Sequence, residues 1–221
     1  MPKQWLRTLQ KLVREPVAFD PSRFEDPLAA RTAWTPLKRG GASFCTRKLV
    51  RIKNYRIEFH AAPQAVLFYS LFLAGGLAAM LGITYVNFTD GALGLNANTI
   101  IPIGLGAVFA AAGGAMLYFG TIPAVFDKMR GCFWRGRSAP AGARGADMTG
   151  TYTEFSRIHA LQIIAELCRG KNSSYYSYEL NLVLDDGRRI NVADHGNLKK
   201  IRADAVALAE FLGKPLWDAA G

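Results

Sequence analysis

Two stretches decide how this chain is read: AAPQAVLFYSLFLAGGLAAMLGITYVNFT (Ala61–Thr89) and GALGLNANTIIPIGLGAVFAAAGGAMLYFGTIPAVF (Gly91–Phe126). Asp90 alone parts them, and neither contains a lysine, arginine, glutamate or aspartate. Each exceeds the ~20 apolar residues that cross a hydrocarbon layer ~30 Å thick. They predict a transmembrane hairpin over residues 61–123, with spans at Gln64–Val86 and Thr99–Ile122. Ala74, Ala78 and Gly82 recur every four residues, as do Gly75 and Ala79, and Gly106, Ala110 and Gly114. Such rows let helix backbones approach where lipid supplies no hydrophobic drive. Packing of the two spans on each other is the favoured reading, with a dimer interface as the alternative. Pro102 is placed in the first helical turn, where proline is tolerated, and Pro123 closes the second span.

Outward from the hairpin, charge is sharply segregated. Of the charged residues, 18 precede the first run and 25 follow the second, and both flanks are net basic within a total of +10. By the positive-inside tendency both termini are cytoplasmic and the Asn87–Asn98 loop is outside, in a multi-pass membrane protein. No cleaved leader is expected, since the first strongly apolar run begins near residue 61, so the first span serves as the insertion signal. Cys45, Cys132 and Cys168 lie in the flanks without CxxC spacing and read as reduced, structural thiols. The sequon-like Asn87-Phe88-Thr89 sits at a membrane boundary and carries little. No ionisable group lies within the spans, which argues against an ion path.

The N-terminal region, residues 1–43, divides in two. Lys3–Arg14 set Trp5, Leu6, Leu9, Leu12 and Val13 on one helical face, with Lys3, Arg7 and Lys11 elsewhere. One reading is a helix lying in the anionic interface with Trp5 at headgroup level. A helix docked on the protein itself, or a frayed terminus, stands beside it equally. Pro16, Pro21, Pro27 and Pro36 then predict an extended connector packed through Phe19, Phe24 and Trp34. Residues 44–60 alternate as a β-hairpin. A Lys53-Asn54 turn would set Val50 against Ile57 and Lys48 against Phe59, leaving Arg47, Arg51, Arg56 and Glu58 on a solvated face.

Beyond the hairpin, residues 124–221 predict a β domain. Val125–Asp127 and Cys132–Trp134 form a hairpin with Phe126 opposite Phe133, and Ser138–Gly150 reads as a mobile loop. Phe155–Cys168 fits either period, although Thr151 and Glu154 in capping-box spacing and Gly170 as a stop lean towards helix. Tyr176–Leu184 is the clearest strand. Counting Asp185-Asp186-Gly187 as a three-residue loop pairs Leu182 with Ile190 and Leu180 with Val192. Asn197 caps a helix over 198–212 whose buried stripe is Leu198, Ile201, Ala205, Leu208 and Leu212, ended by Gly213 and Pro215. Leu216 and Trp217 fold back onto the sheet.

Two spans, strands, an acidic-Gly hairpin and one C-terminal amphipathic helix resemble bacterial membrane proteins with a pleckstrin-homology-like cytoplasmic domain. The residues that carry this are Val125–Trp134, Ile158–Ile164, Tyr178–Gly187, Arg188–Val192 and the helix running to Leu212-Gly213-Lys214-Pro215-Leu216. The resemblance implies a membrane α+β fold: a two-helix transmembrane hairpin with a cytoplasmic antiparallel β domain closed by the C-terminal helix. It also implies a strand over Ile158–Cys168, and binding or assembly in place of a reaction. The fold usually has seven strands, of which the C-terminal part offers five. The Phe44–His60 hairpin is the candidate source of the other two.

Chemistry-bearing residues are sparse. Asp194-His195-Gly196-Asn197 would suit acid-base work, but a strand-to-helix turn expects those residues for turn and capping reasons. His60 and His159 sit among apolar neighbours. Three scattered histidines and three scattered cysteines make a poor metal site, and no phosphate loop, dinucleotide fingerprint or nucleophile elbow is present. No cofactor and no enzymatic activity are expected. Lys199, Lys200 and Arg202 occupy the first turn of the C-terminal helix, where cations oppose the helix dipole. They suit an anion such as a headgroup phosphate, although an ordinary solvated basic face is the favoured reading. The basic residues show no base-reading module, so nucleic acid is not expected as a partner. The leading expectation is a scaffold that binds a protein partner; sensing of an anionic lipid headgroup comes second, and a membrane enzyme using Asp194 and His195 a distant third.

Overall fold

Alternating apolar residues across facing strands account for most of the molecule outside the two long helices. The computed structural model describes residues 19–91, 94, 96–140, 150–170 and 173–221. Lys3, Trp5, Arg7 and Lys11, with the helix they define, lie outside the described residues, as does most of the Ser138–Gly150 loop. In chain order the elements are a 3₁₀ turn at Pro21–Phe24, α1 (Pro27–Arg31), β1 (Arg47–Lys53), β2 (Arg56–Ala61), α2 (Pro63–Thr89) and α3 (Ala97–Gly120). There follow β3 (Ala124–Asp127), β4 (Cys132–Arg135), β5 (Tyr152–Glu154), β6 (Ile158–Arg169), β7 (Ser174–Leu184), β8 (Arg189–His195), α4 (Leu198–Leu212) and β9 (Leu216–Asp218).

The strands form two sheets. One has the order β1-β2-β3-β4-β5, the other β8-β7-β6-β9, in which only the β6–β9 pair is parallel. The hairpin of residues 44–60 therefore shares a sheet with β3, β4 and β5, which follow the apolar insertion. Phe59, Phe126 and Phe133 from the first sheet meet Leu161, Ile163, Leu180 and Leu182 from the second, all fully buried. Each such side chain stabilises the fold by roughly 1.5–3 kcal/mol relative to its exposed state. One edge of this core is closed by α4, which buries Ile201, Ala205, Leu208 and Phe211. Phe211 takes a place predicted for Leu198 and Leu212, which are only half-buried.

Two register expectations change. In the first hairpin the turn is Asn54-Tyr55, so Lys53 faces Arg56, Val50 faces Glu58 and Leu49 faces Phe59. An irregularity between Arg51 and Lys53 slides the strand by one residue, which period-2 reasoning cannot foresee. Arg47 and Glu58 do not lie on a solvated face either. Arg47 donates to the Phe59 and Ile122 carbonyls at 3.3 and 2.7 Å. Glu58 is buried between Arg56 (2.6 Å) and His60 (2.7 Å). In the second sheet Leu182 pairs with Ile190, but a bulge after Leu180 sets that residue against Ala193 instead of Val192. Phe155–Cys168 holds a 3₁₀ turn and then β6, a strand; its pairing with β7 overrides local helix propensity.

The proline-rich connector is an ordered strap over the outer face of the second sheet. Asp20 and Asp26 cap its two short turns, each with a proline at the first positions. Leu28 and Ala29 pack on Ala160, Val183 and Trp217, with Phe24 and Trp34 alongside. Further on, the Glu179 carboxylate accepts the Leu37 and Lys38 N–H groups, both at 2.8 Å. Glu166 likewise accepts those of Gly40 and Gly41. Ser177, Glu179, Asn181 and Val183 are buried as a result, so β7 is covered on both faces.

Both long helices are apolar and long enough to cross a membrane. They pack against each other through glycines: a Cβ on Gly76 would strike the backbone of Gly106 and Ala110, and one on Gly113 the backbone of Leu73. Gly106 and Ala110 belong to the predicted rows. Gly75, Gly82 and Gly114 do not reach the contact and have open space where a Cβ would stand. Pro102 is the sixth residue of α3, within the helix and beyond its first turn. Elsewhere the helices leave apolar side chains uncovered, Leu81 at 69% and Ile101 at 67% exposure.

Candidate functional site

The two sheets meet at the place where the apolar insertion begins. Cys45, just before β1, bridges to His195 at the end of β8. Gly196 allows it: a Cβ there would collide with the Ser43 carbonyl, and its N–H donates to the Phe44 oxygen at 3.2 Å. Two residues on, Thr46 donates from Oγ1 to the Asp194 carbonyl (2.5 Å) and accepts the Ala62 N–H on its own carbonyl (2.9 Å). Ala62 is the residue before α2. Asn197 turns the chain into α4 by accepting the Lys200 N–H at 3.1 Å. The start of β1, the first turn of α2 and the N-terminus of α4 are thereby drawn together.

Between them lies a cavity of about 400 Å³, lined by His195, Lys48, Lys200, Gln64, Asp204 and Cys45 among others. His195 is 3% exposed. Its Nδ1 accepts the Asn197 N–H at 2.8 Å, and its Nε2 is buried without a hydrogen-bond partner. Burial, and then the neighbouring Lys200 ammonium, hold the ring below its usual pKa. A neutral imidazole that accepts at Nδ1 carries its proton on Nε2. The ring therefore carries a buried N–H donor without a partner beside the cavity, and leaving such a group unsatisfied costs roughly 1–3 kcal/mol.

The charged groups around it are mixed. Among the described residues neither Lys48 nor Lys200 is ion-paired. Asp204 accepts the Leu49 N–H through Oδ2 at 3.4 Å. Burial pushes its pKa up, against the Leu49 bond and the Lys200 charge. Burial likewise raises the Cys45 thiol, which donates to the Arg47 carbonyl at 3.0 Å. Two ammonium groups, the Gln64 amide and the positive end of α4 form a donor set for an anionic oxygen.

The structure parts the three cations singled out by spacing. Lys200 lines the cavity. Arg202 is engaged elsewhere, with Nε on Asp218 at 2.5 Å and NH2 on the Gly221 carbonyl at 2.5 Å. Lys199 is exposed and does not line the cavity. Lys48 and Gln64 were missed. The only sequence signal was a polar residue in the first turn of an apolar helix. Asp194 and His195, adjacent on one strand, point to opposite faces. Asp194 accepts from Asn191 at 3.0 Å while His195 faces the cavity with Cys45, so the two are not an acid-base pair. His159 hydrogen-bonds Asp26 at 2.7 Å, while His60 Nε2 lies 2.7 Å from Glu58 Oε2 without hydrogen-bond geometry. No group of three or more metal-binding side chains occurs among the described residues.

Comparison with protein-family models, curated proteins and solved structures finds no match for the chain.

Proposed function

We propose that the chain crosses a bacterial inner membrane twice, with both flanks cytoplasmic, and is a non-enzymatic module that binds an anionic headgroup of that membrane. In this reading the two-sheet domain, closed by α4, is pleckstrin-homology-like. One observation carries it: a cavity lined by Lys48 and Lys200, neither ion-paired among the described residues, lies at the first turn of α2. That is the level at which the helix would enter lipid, where phosphates are densest. Sequence spacing ranks a protein partner first; the position and chemistry of this cavity reverse the order.

The protein-partner reading keeps one supporting feature. Ile52, Tyr55 and Met129 are exposed at adjoining turns of the first sheet, at the end away from α2 and α3. A scaffold surface would be sought there.

Incorporation of the purified full chain into nanodiscs of phosphatidylglycerol or phosphatidylcholine tests the headgroup reading. Selective retention of the anionic lipid after detergent extraction, reduced at least fivefold in Lys48→Gln/Lys200→Gln, is the expected result. Equal retention of both lipids overturns it. A stoichiometric protein recovered only while Ile52 and Met129 are intact would establish the scaffold role.

A further inference from the structure

A separate apolar groove lies further along α2 from the polar cavity. Leu71, Phe72, Gly75 and Ala79 of α2 face Pro102 and Phe109 of α3 across a groove of about 440 Å³. With about 100° of rotation per residue, Gln64, Phe68, Leu71, Phe72, Gly75 and Ala79 fall within an arc of about 100° on α2. The residue that closes the cavity and those that line the groove therefore share one helical face. Aromatic rings bridge the interval: Phe44 to Phe68 at 6.0 Å, Phe68 to Phe72 at 4.9 Å and Phe72 to Phe109 at 5.7 Å. At ~1.5 Å per residue, the groove runs from about 10 to about 22 Å beyond Gln64. That interval is about 12 Å of a hydrocarbon layer ~30 Å thick.

The groove exists because Gly75 has no side chain. Nothing lies within 4 Å of the position its Cβ would occupy, whereas the neighbouring Gly76 is pressed against α3. A second copy's helix could lie in an apolar groove, but it would bring no negative charge to Lys48 and Lys200. A phospholipid supplies both parts at the right separation.

We infer that cavity and groove are the two ends of one site, which holds a single anionic phospholipid. Its phosphate sits between Lys48 and Lys200 beside Gln64, and one acyl chain follows the Gln64–Ala79 face of α2. This rests on the headgroup reading above and adds the chain-binding half. The site selects a lipid on two criteria at once, charge at the surface and an acyl chain that fits between two helices.

Native mass spectrometry of the full chain in detergent, titrated with phosphatidylglycerol or phosphatidylcholine, tests the inference. The wild type should keep one phosphatidylglycerol per chain at least tenfold more strongly than phosphatidylcholine. Gly75→Leu fills the groove without touching the helix crossing, and should lower phosphatidylglycerol retention at least tenfold. Gly114→Leu, also set in open space but outside the groove, should match the wild type. If Gly75→Leu retains the lipid as the wild type does, the one-site inference is overturned. The headgroup reading then still stands, provided Lys48→Gln/Lys200→Gln loses its preference for the anionic lipid. If that double variant keeps the preference, the headgroup reading falls as well.

Discussion

Phe59 and Ala124 are register partners on neighbouring strands, although both long apolar helices lie between them in the chain. The helices are thus an insertion into an antiparallel pair. Replacing residues 62–121 by a two-residue Asn-Gly turn sets Ala61 opposite Ile122 in the existing register and should leave β2 and β3 as a tight hairpin. The expected product is a water-soluble domain that unfolds cooperatively with heat and keeps the α4 helical signal. An aggregated or molten product would mean that the helices are required for the sheet to close.

The strap depends on one buried carboxylate. Glu179 is 2% exposed and accepts from Leu37, Lys38 and the Asn181 amide. Glu179→Ala leaves those donors unmatched and should destabilise the domain by ~2–3 kcal/mol. Limited proteolysis should then cut between residues 35 and 43 faster than in the wild type.

A second fastening is sensitive to acid. For Asp26, burial works upwards, but the His159 bond and the Leu28 N–H outweigh it, and the pKa lies below the usual 3.8. A carboxyl depressed in the folded state stabilises it above its unfolded pKa. That contribution is fully present at neutral pH and is lost as pH falls below about 3.8 through the folded value. Hydrogen exchange over residues 24–34 should rise across that window, and Asp26→Asn should remove the dependence.

Asp204 behaves in the opposite sense. Burial raises its pKa, so the folded state binds its proton more tightly than the unfolded chain does. Stability should then fall as pH rises from the unfolded pKa to the folded one. Asp204→Asn should flatten that slope and, by removing a negative charge from the cavity wall, strengthen phosphatidylglycerol retention two- to fivefold. Weaker retention would place the carboxylate on the ligand's side.

The helix crossing can be broken selectively. Gly113→Val drives a side chain into the backbone of Leu73 and should separate α2 from α3, lowering the thermal midpoint in detergent by several degrees. Gly114→Val has open space and should leave the midpoint within error.

Long-period and end signals were legible in the sequence: the two apolar helices, α4 with Asn197 and Gly213 at its ends, and Phe126 opposite Phe133. What escaped were features decided by contact between distant segments. Four prolines between residues 16 and 36 predict an extended connector packed through Phe19, Phe24 and Trp34, but not the surface they meet: with Leu28, Phe24 and Trp34 pack on Trp217 and Val183. The register of β1 slipped because its irregularity sits beside Arg51, where no glycine announces it. The cavity was half-visible. Lys200 stood out because a cation is out of place at a helix start. Lys48 and Gln64 reach it only because Cys45 bridges to His195, and no local pattern encodes that meeting.

The split strand pair also sets an order of events during synthesis. β2 leaves the ribosome some 65 residues before the β3 residues that complete its pairing, roughly 3–13 s at ~5–20 residues per second. For that interval its inner edge is an open template. The first sheet cannot close until the second helix has been made, so both long apolar helices are complete before β2 meets β3. A ribosome stalled between the helices would display an unfinished sheet, a natural target for quality control.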